Sequence, residues 1–349
     1  MACVTSSTRT SGIEVGDRGR PHAQPDGAPT LQIEALSLEY AGRRGVGRIT
    51  ERASLEVWPR EIVGLIGESG SGKTMTALAV FGLTPRGMRT ASGDIRLSGR
   101  SILRLSEAER RSLRGNRIAL IPQDALGALN PVLRIDKQVG EPYVLHRQTP
   151  WQAAKAKAVE LLRGEHLRSP EQRAREYPHQ FSGGMQQRAM IAMGLALGPE
   201  LLIADEPTTA LDVTVQAQVL NLLREIRDTH GTAILFITHD LGVVAELCDW
   251  VYVIYAGVIV EQGSVEDVFA RPGHPYTQAL LRSTPTVRTV QAELVSIRGQ
   301  IPSPFELPPG CRFAERCPHR LERCAAAPPD LPVGPEHTAR CWLLDAGLA

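Results

Sequence analysis

Lysine is nearly missing from this 349-residue chain: of 39 basic residues only Lys73, Lys137, Lys155 and Lys157 are lysines. Each is therefore informative by position. Excess charge is missing too, since 39 basic against 38 acidic residues leave a net +1, so no whole-chain field draws the protein to nucleic acid or anionic lipid. Long apolar runs are absent: the longest, Met190–Gly198 and Trp250–Val260, fall far short of the roughly 20 residues a bilayer-spanning helix needs. Residues 1–29 are rich in Ser, Thr, Gly, Pro and Arg and lack the apolar centre of a secretory signal, which predicts a disordered segment and a reducing, cytosolic setting. What is present is an ordinary share of hydrophobic residues, 42%, and of charged ones, 22%, enough for a sizeable core in two domains or in one large domain with an extension.

Residues 31–66 alternate apolar with polar and end in the continuous run Ile62–Ile66, which predicts two exposed strands and a buried one. A helix follows from Thr74 to Leu83, then a short strand at Arg117–Pro122. Residues 126–198 read as mostly helical, with Ala154, Ala158, Leu161 and Leu162 on one face of Trp151–Leu167. Two more buried strands, Leu201–Ala204 and Ala233–Thr238, bracket a helix at Val213–Thr229. Apolar strands alternating with helices predict an α/β fold with a parallel sheet covered on both faces. After about residue 280 the chain turns proline-rich and irregular. It contains no internal repeat, so any twofold in a working assembly needs a second chain.

Gly67, Glu68, Ser69, Gly70, Ser71, Gly72, Lys73 and Thr74 satisfy G-x-x-x-x-G-K-[ST] at every fixed position, between a buried strand and a helix. Glycines let such a loop close around phosphate so that its N–H groups point inward, and the helix N-terminus adds partial positive charge. Lys73 would neutralise the β- and γ-phosphates and the Thr74 hydroxyl would ligate Mg²⁺. A glycine-rich turn with a solvated lysine is the plain alternative. Leu201–Ala204 ends in Asp205 and Glu206, where open α/β sheets bind ligands. Asp205 suits the surroundings of Mg²⁺, and Glu206 could polarise a water for in-line attack. Taken alone, two acids ending a strand are equally a chain leaving the core.

With Ser182, Gly183 and Gly184 just upstream of that strand, the chain resembles the ATP-binding subunits of ABC transporters over about residues 30–280. The resemblance implies a P-loop ATPase with a RecA-like core, an antiparallel β region and a helical subdomain at about 126–198. It assigns Tyr40 to adenine stacking and Gln123 to the loop that touches Mg²⁺ and the attacking water. Phe181–Met185 becomes the signature motif, Thr209–Asp212 the D-loop, and His239 the switch histidine. It also implies two domains sandwiching two ATP molecules head to tail. By themselves Ser182 reads as a helix cap, His239 as a solvated side chain, and Gln123 and Tyr40 as a loop glutamine and a strand aromatic.

Phe181–Met185, Ala204–Gln218, and His274–Thr277 followed by Leu280 and Leu281 are similar to the dipeptide/oligopeptide (and nickel) importers, specifically to the subunit paired with a second, non-identical ATPase. That implies two transmembrane permeases, an extracytoplasmic substrate-binding protein reached through them, no nucleic acid, and a peripheral place on the cytoplasmic face of the membrane. Coupling to the permeases would run through residues 126–180. An importer ATPase for nickel or another small solute and a soluble ABC ATPase acting on ribosomes or DNA are the alternatives; one ATPase domain and no Lys/Arg stripe argue against the latter.

Of six cysteines, Cys3 lies in the N-terminal segment and Cys248 reads as a small core residue in a helix. Cys311, Cys317, Cys324 and Cys341 cluster within residues 281–349 at spacings that match neither zinc pairs nor the ferredoxin run. Four thiols in a tail poor in apolar residues point to a stapled mini-domain. Gly310–His319 resembles the C-terminal extension of peptide-importer ATPases, whose four-cysteine versions resemble [4Fe–4S] binders. The resemblance implies a structural iron–sulfur cluster without a part in ATP chemistry. Zn²⁺, with His319 and His337 as further ligands, and four free thiols stay open.

Overall fold

The computed structural model describes residues 27–209, 211–283 and 297–345. Most of the N-terminal segment expected to be disordered, Cys3, and Ala210 of the expected D-loop lie outside them. Among the described residues, an antiparallel sheet holds β2 (Gly45–Val57), β1 (Leu31–Gly42), β4 (Met88–Leu97) and β5 (Arg100–Ser101), in that order. A larger sheet runs β11 (Leu331–Gly334), β12 (His337–Ala339), β10 (Val258–Ser264), β9 (Trp250–Tyr255), β3 (Ile62–Ile66), β8 (Ala233–Thr238), β7 (Leu201–Asp205), β6 (Ile118–Ile121). From β9 to β6 the neighbours are parallel; β10, β12 and β11 add antiparallel.

The parallel strands are apolar at nearly every position because both faces are covered. Ile62, Ile66, Leu202, Ala204, Ile234 and Phe236 point to one side, against α8 (Val213–His230), α9 (Leu241–Leu247) and α10 (Val265–Ala270). Val63, Leu65, Leu201, Ile203, Leu235 and Ile237 point to the other, against α1 (Lys73–Phe81) and the antiparallel sheet. Beside these stands a helical unit: α3 (Ala125–Ala128), α4 (Ile135–Arg147), α5 (Trp151–Gly164), α6 (Pro170–Arg173) and α7 (Gly183–Leu195). It has its own core of Leu129, Ile135, Val139, Ala158, Leu162, Phe181 and Met190. Helices α2 (Glu107–Leu113), capped by a Ser106/Glu109 capping box, and α11 (Pro275–Ser283) complete the chain.

The C-terminal region is not a separate stapled unit. Phe313 is 1% exposed in the main core, where its ring meets Tyr255 and Tyr276 edge-on or tilted at 5.2 and 5.4 Å. Strand β12 extends the main sheet by pairing Glu261 with Ala339 and Gln262 with Thr338. The join is polar. The buried Glu261 carboxylate accepts from Gly273 N (2.6 Å) and His274 N (2.9 Å), and lies 2.7 Å from His337 Nε2. His274 is itself buried, its Nδ1 accepting from Tyr276 N at 3.0 Å.

Burial lowers the His274 pKa from 6.5 to about 4, against the opposing pull of Glu261. Between those values the unfolded chain binds a proton that the folded one refuses, so this stability is complete above pH 6.5 and drains away as pH falls toward 4. Urea unfolding as a function of pH should show about 3 kcal/mol lost across that window, with His274→Gln flattening this part of the curve. Equal slopes for the two proteins would contradict the assignment.

Candidate functional site: a phosphate loop facing two carboxylates

The parallel register places three strand ends side by side. Ile66 pairs with Thr238 and Asp205 with Ile237, so the loops after β3, β7 and β8 leave one edge of the sheet together. Gly67–Gly72 bridges β3 to α1, with Gly70 (φ +84°) and Gly72 (φ +108°) in backbone conformations that side chains rarely tolerate. A Cβ on Gly67 would sit 2.2 Å from the Ile254 carbonyl oxygen, so the loop rests directly on β9. Its other flank touches β2: a Cβ on Gly72 would meet Ile49 O at 3.1 Å.

Lys73 folds back over this loop. Its Nζ donates to Gly67 O (2.7 Å) and Glu68 O (3.0 Å), and only 5% of the residue is exposed. Burial pulls its pKa below the ordinary value, opposed by Glu206, Asp205 and Glu68. Across from it, burial pushes Asp205 up; a hydrogen bond from Thr74 and the charge of Lys73 work against the rise, and Glu206 adds to it. Asp205 Oδ1 and Ser71 Oγ are buried with no hydrogen-bond partner. A divalent cation would satisfy the Asp205 oxygen and a phosphate oxygen the Ser71 hydroxyl, so Asp205, with the Thr74 hydroxyl bonded to it, fits a Mg²⁺ site.

Glu206 opens the loop after β7 in the left-handed region (φ +49°), costly for a glutamate and typical of strained functional positions. Three side chains converge on its carboxylate: Gln123 Nε2 at 3.2 Å, Thr209 Oγ1 at 3.1 Å and His239 Nδ1 at 3.2 Å. Glu206 N donates to Ile237 O at 2.8 Å, tying the strained residue to β8. This arrangement can hold a water beside a phosphate and accept its proton. Thr209, expected only as the first residue of the D-loop, belongs to it.

Ser182, Gly183, Gly184 and Asp212 gather elsewhere. Ser182 caps α7 (Met185 N to Oγ, 3.4 Å) and Asp212 caps α8 (Val215 N to Oδ1, 2.9 Å). Gly184 lets the two helix starts touch, since a Cβ there would lie 2.6 Å from Val215 Cγ1. Ser182, Gly184 and Met185 line a cavity of about 750 Å³ together with Arg188 and Glu165, whose pKa burial pushes up to about 8. No residue of the phosphate loop lines it. Tyr40, on β1, pairs with Gly47 and Met88 and stands edge-on to Phe305 at 6.4 Å.

The four C-terminal cysteines do converge. Cys311, Cys317, Cys324 and Cys341 line one small cavity of about 10 Å³, with His319 beside them; His337 is engaged by Glu261 instead. Burial raises the Cys311 and Cys317 thiols and pushes Cys341 up to about 11. The expected cluster is nevertheless not reproduced: among the described residues no three or more His, Cys, Asp or Glu side chains form a group able to hold a metal ion. Room for about one water does not admit an iron–sulfur cubane unless the thiols spread.

Comparison with known proteins decides the family. The ABC transporter model matches residues 50–209, and the oligopeptide/dipeptide transporter C-terminal region matches 260–324. A probable peptide ABC transporter ATP-binding protein of Sinorhizobium fredii is 48% identical over 93% of this chain and 97% of its own length. The chain belongs to the ABC transporter ATP-binding proteins. The oligopeptide transport ATP-binding protein AppD of Bacillus subtilis is 45% identical, covering 90% of this chain and 97% of that one. A dimeric bacterial ABC transporter cassette shares the fold at TM-score 0.61 and 24% identity, over 67% of this chain and 98% of its own. As an ABC ATPase the chain binds and hydrolyses ATP, and among its described residues no helix is long and apolar enough to cross a membrane.

Close contact at the phosphate loop predicts unequal costs for its glycines. Gly67→Ala must displace β9 backbone and should lose about 2 kcal/mol in urea unfolding. Gly70→Ala, with nothing within 4 Å, meets only the strain of its positive φ and should lose about 1 kcal/mol.

Proposed function

We propose that the chain is the ATP-hydrolysing subunit of an importer for di- or oligopeptides, and that Glu206 is its general base. The observation that carries the catalytic reading is the Glu206 carboxylate held by Gln123, Thr209 and His239 beside a phosphate loop of complete sequence pattern. The peptide reading is supported by the C-terminal region and by the names of the relatives.

In this mechanism the amides of Gly67–Thr74, together with Lys73, hold the phosphates, and Tyr40 stacks on the adenine. Thr74, Gln123 and Asp205 hold Mg²⁺, which when bound neutralises charge on the phosphate oxygens. Glu206 takes a proton from water as its oxygen bonds to the γ-phosphorus and the bond to ADP breaks; His239 donates to the γ-phosphate. Ser182, Gly183, Gly184 and Asp212 face the nucleotide of a second, non-identical ATPase, so closure of the pair is favoured while ATP is bound. Two permeases take up that closure, and an extracytoplasmic protein delivers substrate through them. This places the subunit peripherally on the cytoplasmic face of the membrane. The helical unit offers the docking surface, where Val132 (77%), Leu145 (68%) and Trp151 (44%) are exposed.

Glu206→Gln should leave ATP binding within about twofold of wild type and reduce steady-state hydrolysis in the assembled complex by 10² or more, abolishing peptide uptake. Near-normal turnover from that variant would remove Glu206 from the mechanism.

We further propose that the four thiols, on spreading from their present packing, bind a thiophilic metal centre, a [4Fe–4S] cluster with Zn²⁺ as the alternative. Support comes from four cysteines of one chain lining one cavity, with burial disfavouring the thiolates of Cys311, Cys317 and Cys341 unless a cation compensates. Anaerobically purified protein should show thiolate-to-iron absorbance near ~400 nm that is lost in a Cys311→Ser/Cys317→Ser variant. Stoichiometric zinc in colourless protein would select the alternative, and neither metal would leave four free thiols.

A further inference from the structure

Two arginines inside the cysteine segment reach the phosphate loop. Arg316, immediately before Cys317, grips the Glu68 carboxylate with both ends of its guanidinium: Nη1 to Oε2 at 3.0 Å and Nη2 to Oε1 at 3.2 Å. The head group is otherwise fully committed. Its Nε donates to Arg298 O (2.8 Å), Nη1 also reaches the Tyr255 hydroxyl (3.3 Å) and Nη2 the Ile297 carbonyl (3.4 Å), and its carbon lies 5.6 Å from the Tyr255 ring centre. Only 6% of this side chain is exposed. A bidentate arginine–carboxylate pair with a buried guanidinium and a part-buried carboxylate fixes position as well as charge.

Glu68 is held at its backbone as well, its N–H donating to the Tyr276 hydroxyl at 2.8 Å. Arg312, immediately after Cys311, works on the other flank. It donates to Ala256 O and pairs with Glu51, while the next residue, Gly257, donates its N–H to Ser71 O (2.8 Å) and accepts from Glu51 N (2.9 Å). The Cys311–Cys317 turn thus grips the loop at Glu68 directly and at Ser71 through the β9–β10 turn.

We infer that the cysteine segment is part of the ATP site: Arg316 is a positioning residue that sets the shape of the phosphate loop through Glu68, with Arg312 supporting it through the Ala256–Gly257 turn. The inference rests on the ATP-binding reading and extends it, because the segment expected to stand apart from ATP chemistry becomes coupled to it. Coupling is reciprocal, so nucleotide in the loop steadies the segment as the segment steadies the loop.

The test is a fluorescent-ATP titration of the full chain, without Mg²⁺ to prevent turnover, for wild type, Lys73→Ala, Arg316→Gln, Arg316→Lys, Glu68→Gln and the Arg316→Gln/Glu68→Gln double variant. Arg316→Gln and Glu68→Gln should each weaken binding about tenfold, Arg316→Lys should recover part of the loss, and the double variant should be no worse than either single. Such non-additivity is not expected of an arginine that only stiffens the C-terminal region. Amide exchange of residues 311–317 should slow when ATP is added to wild type and not to Arg316→Gln. If Arg316→Gln fails to fold, Glu68→Gln and the wild-type exchange experiment carry the test. Glu68→Gln binding within about twofold of wild type while Lys73→Ala loses binding, additive losses, or unchanged exchange would overturn the coupling alone. Equal binding by wild type and Lys73→Ala would overturn the ATP reading beneath it.

Discussion

Parallel pairing of β3, β8 and β7 is the constraint on which the site depends. In a parallel sheet all strands end on the same edge, and here the register is nearly level, Ile66 beside Thr238 and Ile237 beside Asp205. Three loops of unlike sequence are therefore delivered to one place by backbone hydrogen bonds, without any contact among their side chains being required first. The apolar packing on both faces keeps those strand ends still, and a few well-placed polar groups can then be strained or desolvated at tolerable cost.

Desolvation is the second theme. Lys73 and Asp205 are almost wholly withdrawn from water, and burial shifts each toward its uncharged form. Both shifts are ones that a polyanion with a divalent cation would reverse, because the missing counter-charges arrive together. An apolar site of the same shape would be more stable and could not discriminate a nucleotide triphosphate from water. The left-handed Glu206 belongs to the same trade: strain held by β8 at one end and, at the other, by hydrogen bonds from Gln123 and Thr209 with the His239 ring beside them.

What the sequence disclosed and what it hid divide along range of interaction. Strands β3, β7 and β8 are continuous apolar runs, and the phosphate loop is contiguous, so both could be read locally. Strand β4 escaped because Arg89–Gly93 is solvent-exposed and only Ile95 and Leu97 of its ten residues are buried, too short an alternation to register. Strands β9 and β10 look like one apolar run until Ala256 and Gly257, both at positive φ, turn it back on itself. The grip of Arg316 on Glu68 spans 248 residues and leaves no local trace. Its hint was compositional: arginines flanking two cysteines, four positions apart. The metal reading went the other way, from a clear local cluster to a cavity tighter than a cubane.

The polar join between β10 and β12 governs the order in which the molecule can be completed. Glu261 meets His337 across 76 residues of intervening chain, and β12 covers backbone groups of β10 that would otherwise form an open sheet edge. During synthesis that edge, with a carboxylate lacking its histidine, stays exposed until the hairpin of β11 and β12 has emerged. The catalytic strands can pair well before then, so the nascent ATPase passes through a stage that is built around its loops yet open to strand addition by a neighbour. Completion of the sheet is thus a late, long-range event, and it moves the edge from β10 to β11, a strand of four residues that contains Pro332.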